Sequence, residues 1–547
     1  MTLIKTSYGF VKGIQKKSCY NKPYLAFYGI PYAKQPINEY RFKDARPLEP
    51  WEGILDATKV GDACWNLDRI NPIEQKIIGS DNCLHLNIYV PDTLIDETKK
   101  KPVMVYIHAG RFTTMSSDPF FHGPDYLLEH DVVVVTFNYR YGAFGFLSLK
   151  DPSLGIPGNA GIKDQLMALK WLKSEIENFG GDSQKITVFG VSAGSCSTHL
   201  HLLYEPSRGL FQRAIIMAGT AFDPWAVRTS QGDLAYRLAK ALGYEGDAKD
   251  EREIFKVISE ADPVKVVQKQ TVRLLNDLEV KLGQFSTFGP VVEPYITETT
   301  FIHEHPLKPQ VWKNAWGNKI KMIIGSNSMD GLLFYPSLSS ELMSSLGNFS
   351  HIIAENVHLD PNSETCIEKG LKLKNFYYGT ENPSMENVDI YINILGDKNF
   401  WHGIWMALKA HHESDSYFYR FDVAPSDYNQ TVRKIFKIPH LRGASHVEDI
   451  FYIFKAEYLK TPLKGSRDYE IIQTMTKCFA DFAKHKNPSP KNIDWTPVKS
   501  FNDIKCLNFN ENGVAIIDLP EKKRMEFWDE ICETKFLFKS TRNEFSA

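Results

Sequence analysis

Gly190-Val191-Ser192-Ala193-Gly194 is the segment of this chain best suited to covalent chemistry. A serine hydroxyl becomes a nucleophile when a sharp turn exposes it and a base removes its proton. Flanking glycines leave room for the turn, because the serine must take a strained backbone conformation among close neighbours. The bare pattern is weak: a random chain of this length carries on the order of 0.1 copies. Its context sharpens it. The apolar run over 185–189 leads into the motif as a strand, and 196–204 follows as helix-compatible sequence. Strand, sharp turn and helix is the layout of a nucleophile elbow, with the Ala193 N–H facing the reacting oxygen from a helix N-terminus. An ordinary glycine turn is the plain alternative. A second segment, His108-Ala109-Gly110-Arg111-Phe112, ends a strand. A glycine-rich loop there can lend N–H groups to an oxyanion. Only its central glycine is present, and a simple strand-exit turn reads equally well.

A nucleophilic serine needs a histidine base held by a carboxylate, in the chain order serine, acid, histidine for this kind of elbow. The histidines after residue 330 are His351, His358, His402, His411, His412, His440, His446 and His485. Composition does not choose among them. His446 lies on the small-residue loop Gly443-Ala-Ser-His, just before the aromatic run IFYIF, where a rigid element can place its ring. A surface histidine beside Glu448 and Asp449 reads equally well. Asp330 follows the strand KMIIG and the loop Ser326-Asn-Ser-Met. A carboxylate at a strand end suits the acid, while a solvated loop aspartate suits the local sequence better.

The elements that must position these residues are α/β in character. Near-continuous apolar runs at 103–108, 131–138 and 185–189 predict strands covered on both faces. Apolar residues at helical spacing over 163–179 predict a crossover helix, stopped by Gly180-Gly181. Strand, helix, strand is the unit of a parallel sheet. Strands are also expected at 321–325 and 417–422, a mostly helical stretch at 222–282, and a long helix over 469–485. No linker or repeat interrupts the 547 residues, so residues 1–547 are expected to form one large domain with insertions. Hydrophobic residues at 43% and charged residues at 24% exclude disorder as the main state. A net charge of −2 gives no basic excess for a nucleic-acid partner. No run approaches the ~20 apolar residues of a membrane span. The N-terminus lacks a signal-peptide core and the C-terminus a retention or anchor signal, so a cytoplasmic location is expected. Cys196 reads as a small buried hydrophobe, and Cys64 and Cys83 could close one surface loop. Without CxxC or Cys/His ligand spacing, neither a metal nor an organic cofactor is expected. The sequons at Asn348 and Asn429 are read as silent.

Ordered segments along nearly the whole chain resemble the type-B carboxylesterase/cholinesterase family, most of all the insect alpha-esterases. They include SYGFVKG, FYGIPYAKQP, SDNCLHLNIYVP, NYRYGAFGFL, PGNAGIKDQ, NFGGDSQKITVFGVSAG, FGPVVEP, LRGASHVEDIFYIF and FADFAKHKNP. The resemblance implies an α/β-hydrolase: a large, mixed, mostly parallel sheet flanked by helices, with helical insertions forming a gorge over the serine. It implies Ser192 as nucleophile, Asp330 as acid and His446 as base, with oxyanion donors from the N–H groups of Gly110, Arg111 and Ala193. It implies a serine carboxylesterase acting on small-molecule esters, xenobiotic or lipid-like, with organophosphates as covalent inhibitors that such an enzyme can sequester. Many secreted members carry a loop disulfide that maps onto Cys64–Cys83. A second family disulfide has no cysteines here, and in a reducing compartment Cys64 and Cys83 are expected to be free thiols.

Three departures stand out. Val191 replaces the glutamate common before the nucleophile, so a buried carboxylate near the serine is expected to be lost. Ala109 and Arg111 replace loop glycines. In resistant insect alpha-esterases, changes at this loop glycine alter organophosphate handling. Arg111 places a permanent cation near the serine, and the hypothesis is that it trades general esterase rate for another property, such as preference for acidic acyl groups. Invariance of both rate and substrate ranking in Arg111→Gly would refute this. The alternative to an esterase is a catalytically weak or inactive binding protein on the same fold. A chromogenic-ester burst separates the two. The lining of the gorge stays open, since Phe400 and Trp401 read equally as gorge or as core.

Overall fold

A computed structural model describes residues 2–68, 76–91, 94–95, 98–281, 284, 286–423, 426, 428–429, 433–434, 437 and 441–534, side chains excepted at 272, 278 and 281. His440, Leu282, the last two residues of the Asn429 sequon and the C-terminal tail lie outside them.

Among the described residues, thirteen strands form one sheet. In spatial order it runs Thr2–Thr6, Gly9–Lys17, Pro23–Pro31, His85–Val90, Val133–Phe137, Lys101–Ile107, Gly181–Val191, Arg213–Met217, Lys321–Asn327, Ser416–Asp422, Lys505–Asn510 and Gly513–Asp518, with Ile54–Asp56 beside the second. From Val133–Phe137 to Lys505–Asn510 every neighbouring pair is parallel. The flanking pairs are antiparallel, except that Ile54–Asp56 runs parallel to Gly9–Lys17.

Alternate residues of the central strands enter two separate cores. Val103, Val105, Val188, Ile216 and Ile324 face one side. Met104, Tyr106, Phe189, Met217 and Ile323 face the other. Burial on both faces is why these strands read as unbroken apolar runs. The first core is covered by the helix Ala160–Glu175, through Ile162, Leu169 and Leu172, and by the helix Ala193–Leu203, through Cys196 and Leu200. The second is covered by Arg467–Ala483, capped by the Ser466 hydroxyl and packed through Ile472, Met475 and Phe479. No helix among the described residues is long and apolar enough to cross a membrane.

The expected strands are present, with ends moved by a few residues: the one expected at 185–189 extends to Gly181–Val191, and the one expected at 131–138 shortens to Val133–Phe137. The expected helix over 163–179 is an α-helix that tightens into a 3₁₀ turn at Ile176–Phe179 before Gly180, whose φ of 78° ends it. One expectation is overturned. Cys64 and Cys83 are not free thiols but are joined as a disulfide. The backbone bridge between Cys64 and Ser80 folds the loop back, which brings the two Cα atoms to 4.9 Å. The thiol argument for a reducing compartment falls with it. Replacing both cysteines by serine is expected to lower stability by about 3 kcal/mol, the loop-closure entropy for this 19-residue separation. The urea midpoint of the double variant checks it.

Candidate active site

The strand Gly181–Val191 delivers Ser192 to the C-terminal edge of the parallel sheet, where the chain reverses into Ala193–Leu203. Ser192 takes φ 59° and ψ −124°. A non-glycine residue pays about 1–3 kcal/mol for such a conformation, so its surroundings must impose it. The neighbouring strand does so: the Ser192 N–H donates to the Met217 carbonyl at 2.9 Å. The turn is also jammed against the strand Lys101–Ile107. A Cβ on Gly194 would lie 1.9 Å from the Ile107 carbonyl oxygen, and one on Gly190 would lie 2.4 Å from the Gly194 backbone. Glycine is the only residue that fits at either place.

Three strand ends converge on Ser192. His446 Nε2 lies 2.9 Å from Ser192 Oγ, and His446 Nδ1 lies 2.9 Å from Asp330 Oδ1. A carboxylate only accepts, which assigns the ring proton to Nδ1 and leaves Nε2 to accept from the serine hydroxyl. Relative exposures of 6% for Ser192, 4% for His446 and 0% for Asp330 make this a protected contact. Asp330 opens a 3₁₀ helix after Lys321–Asn327, and Ser326 Oγ donates to its Oδ2 at 2.5 Å. Among the described histidines after residue 330, His446 alone meets Ser192. His411 pairs with His199, and His402 faces Asp529.

The loop bearing His446 is held from below. Arg433 binds Glu448 through Nε at 2.8 Å and Nη2 at 3.0 Å, and the Ser445 N–H donates to Glu448 at 2.6 Å. Above, the Phe400 ring stacks on His446 with centroids 4.0 Å apart. Phe400 therefore belongs to the site. Trp401 turns the other way, into the core, and donates to the Asn327 carbonyl. Both sit on a single π-helical turn, Asp397–Trp401, which re-aims side chains within a helix.

The strand exit that leads into segment 110–112 lies against the elbow, since the carbonyls of Ile107 and His108 both crowd Gly194. Gly110 has φ 116°, and its carbonyl accepts from the N–H groups of Thr113 and Thr114. Arg111 and Phe112 both adopt φ 59°. The loop thus keeps a glycine-like backbone at a position occupied by arginine, with the attendant strain. Ala193 is the first residue of its helix, where N–H groups have no intrahelical acceptor.

A buried carboxylate was expected to be missing because of Val191. Two others stand near Asp330. Burial pushes the Asp449 carboxyl up to about 7, opposed by the Tyr419 hydroxyl that donates to it at 2.8 Å and reinforced by the charge of Asp330. The Asn327 amide lies 3.3 Å from Asp449 and 3.4 Å from Asp330, bridging them. Burial also raises Asp223 well above the carboxylate range, with the Thr220 N–H bonded to one oxygen at 2.6 Å and the other unpartnered. One of the two even readings of the sequence put Glu448 and Asp449 beside a surface histidine. Both are buried, and their setting in the apolar run SHVEDIFYIF is the signal for that. Nothing local pointed to Asn327, Tyr419 or Asp223.

Comparison with known proteins places this geometry in a family. A model described as "Carboxylesterase family" matches residues 1–528. The chain belongs to the carboxylesterase family. It is 35% identical to Esterase B1 of Culex pipiens over 546 residues, spanning 98% of this chain and 99% of that one. It is 33% identical to juvenile hormone esterase of Tribolium castaneum, spanning 94% and 88%. Among solved structures, juvenile hormone esterase from Manduca sexta with OTFP covalently attached matches with a TM-score of 0.83 at 29% identity, over 97% and 99% of the two chains. The fold is that of an α/β-hydrolase, and this carboxylesterase is a carboxylic-ester hydrolase.

Asp449 generates a pH prediction. Between about pH 4 and pH 7 the folded chain holds Asp449 protonated, whereas the unfolded chain has released that proton. The folded state then binds more protons, so rising pH removes stability from the wild type across this window and no further above it. Asp449→Asn cannot titrate. Its stability relative to wild type is expected to rise from pH 4 to pH 7 and then level off, as read from urea midpoints. An offset independent of pH would exclude titration of a buried Asp449.

Proposed function

We propose that this carboxylesterase works through an acyl intermediate on Ser192, with xenobiotic or lipid-like esters as substrates and organophosphates as slowly released covalent inhibitors. The observation that carries the reading is the chain of two 2.9 Å contacts from Ser192 Oγ through the His446 ring to Asp330.

In the first step His446 Nε2 takes the hydroxyl proton while Ser192 Oγ bonds to the carbonyl carbon. The negative charge moves to the carbonyl oxygen, where the N–H groups of Gly110, Arg111 and Ala193 are the donors for it. The C–O bond to the alcohol then breaks, and His446 returns its proton to the leaving oxygen. Water enters, gives a proton to His446 and attacks the acyl carbon. Collapse releases the acid and restores Ser192. Asp330 orients the ring and stabilises its cationic form. No step calls on a cofactor. An organophosphate would phosphorylate Ser192 by the same first step and leave only when water displaces it.

Aromatic rings near the serine support the lipid-like substrate class. Phe112, Phe222 and Trp225 line a cavity of about 240 Å³ beside loop 110–112, and Phe400 covers the base. The names of the juvenile hormone esterase relatives point the same way.

Active-site titration with p-nitrophenyl acetate tests the mechanism. The wild type is expected to show a burst equal to the enzyme concentration and then steady turnover, both absent in Ser192→Ala. A full burst with negligible turnover would assign the protein to sequestration. Absence of a burst in folded wild type would reject the acyl-serine reading. Asp330→Asn is expected to keep its fold and lose about ten-thousandfold in kcat, through the wrong ring tautomer. A loss below about tenfold would remove Asp330 from that role.

A further inference from the structure

Among the described residues, Arg228 is a partly buried cation whose side-chain hydrogen bonds go to neutral oxygens. It follows the Phe222–Trp225 segment and lines the same cavity of about 240 Å³ as Phe112, Asp223 and Arg111. Its backbone is held rigidly: the Arg228 N–H donates to Pro290, its carbonyl accepts from Val292, and the residue bridges Val291. Its guanidinium donates to Gln284 Oε1 at 3.1 Å and to the Ser286 carbonyl at 2.6 Å, both neutral oxygens. An arginine has five N–H donors, and these contacts use two of them.

The nearest acids are engaged elsewhere. Glu279 is paired with Arg237 at 2.6 Å, and Glu355 lies 3.7 Å from Lys398. Burial holds Arg228 below its usual range, with Glu279 and Glu355 opposing at longer distance. The charge nevertheless persists, because an arginine side chain stays protonated in proteins. Burial raises both carboxyls on the cavity wall, Asp223 and Glu355, opposed at Glu355 by the charges of Lys398 and Arg228. Burial lowers His305, also on the wall. Withdrawing a cation from water without an anion is unfavourable, and an anionic ligand removes that penalty.

Ser286 links this cation to the loop beside the nucleophile. Its carbonyl takes Arg228, and its hydroxyl donates at 3.3 Å to the carbonyl of Arg111. Arg228 and Arg111 both line this cavity, whose wall also carries Asp223, Glu355 and His305 beside the rings of Phe112, Phe222 and Trp225. We propose that this cavity receives an anionic substituent of the ester, a carboxylate or a group of similar charge, with Arg228 as its main contact and Arg111 at the rim. This rests on the acyl-Ser192 reading and names the substrate class for it: esters of dicarboxylic or otherwise acid-bearing acyl groups.

The test compares two esters of equal acyl length, p-nitrophenyl pentanoate and the mono-p-nitrophenyl ester of glutarate. The quantity read is the ratio of kcat/KM for the acidic ester to that for the neutral one. A charge-assisted contact predicts that Arg228→Leu lowers this ratio about ten- to hundredfold, chiefly through KM. Arg228→Lys keeps more of it, and added salt lowers it in the wild type. Arg111→Gly lowers it less than Arg228→Leu does. A ratio unchanged in Arg228→Leu overturns the proposal. Should that variant not fold, inhibition of the wild type by glutarate and by the uncharged pentanamide decides. Glutarate inhibiting at least about tenfold more tightly than pentanamide upholds the site, and equal inhibition overturns it. Turnover of the neutral ester with no preference for the acidic one keeps the esterase reading and rejects this one. Selective glutarate binding without turnover of either ester does the reverse.

Discussion

The contact on which the rest of this site depends is the approach of Gly194 to the carbonyl of Ile107. Two parallel strands end side by side there, and the chain must turn upward without room for a single methyl group. That crowding holds Ser192 at φ 59° although the residue gains nothing locally from it. The strain is offset by the sheet on both sides, through the Ser192–Met217 hydrogen bond and the two apolar cores. The same crowding brings loop 110–112 to the serine, because that loop begins where Ile107 stops. One backbone approach thus sets the hydroxyl, a helix N-terminus and the start of that loop side by side.

Electrostatics around that point are layered. Closest to the serine is a histidine with one carboxylate partner. Behind Asp330 lie Ser326, Asn327, Tyr419 and Asp449, where burial rather than ion pairing governs the second carboxyl. A single amide, Asn327, touches both acids and lets them sit close together. On the other side of the loop the balance reverses. The cavity carries arginines whose charge cannot be removed, while its carboxyls are pushed towards neutrality. The reacting group and the proposed binding wall therefore have opposite electrostatic character, separated by Phe112 and the turn at Gly110.

The legible parts of the sequence were those with a local physical cause. Apolar runs at 103–108 and 185–189 read as strands because both faces of those strands are buried. Gly190 and Gly194 read as a forced turn because no other residue fits. His446 and Asp330 were different: local chemistry left each with a plain alternative, and resemblance to known esterases singled them out. Cys64 and Cys83 were read the wrong way, since a redox argument about a compartment says nothing of two Cα atoms brought to 4.9 Å by a backbone bridge. Arg111 was recognised as a cation near the serine, but its left-handed backbone and its link through Ser286 to Arg228 depend on residues 175 positions apart in the chain.

By itself, then, the sequence determined the parallel α/β core, the turn at Ser192 and the hydroxyl presented there. These follow from periodicity and from the size of single residues, which act over a few positions. Tertiary structure alone decided which carboxylates are buried together, which histidine meets the serine, which aromatic ring covers it and which cation shares its cavity. Those outcomes come from strand ends and loops that are distant in the chain and adjacent in space. Their energies depend on burial and on partner distance, and neither quantity exists until the sheet has assembled.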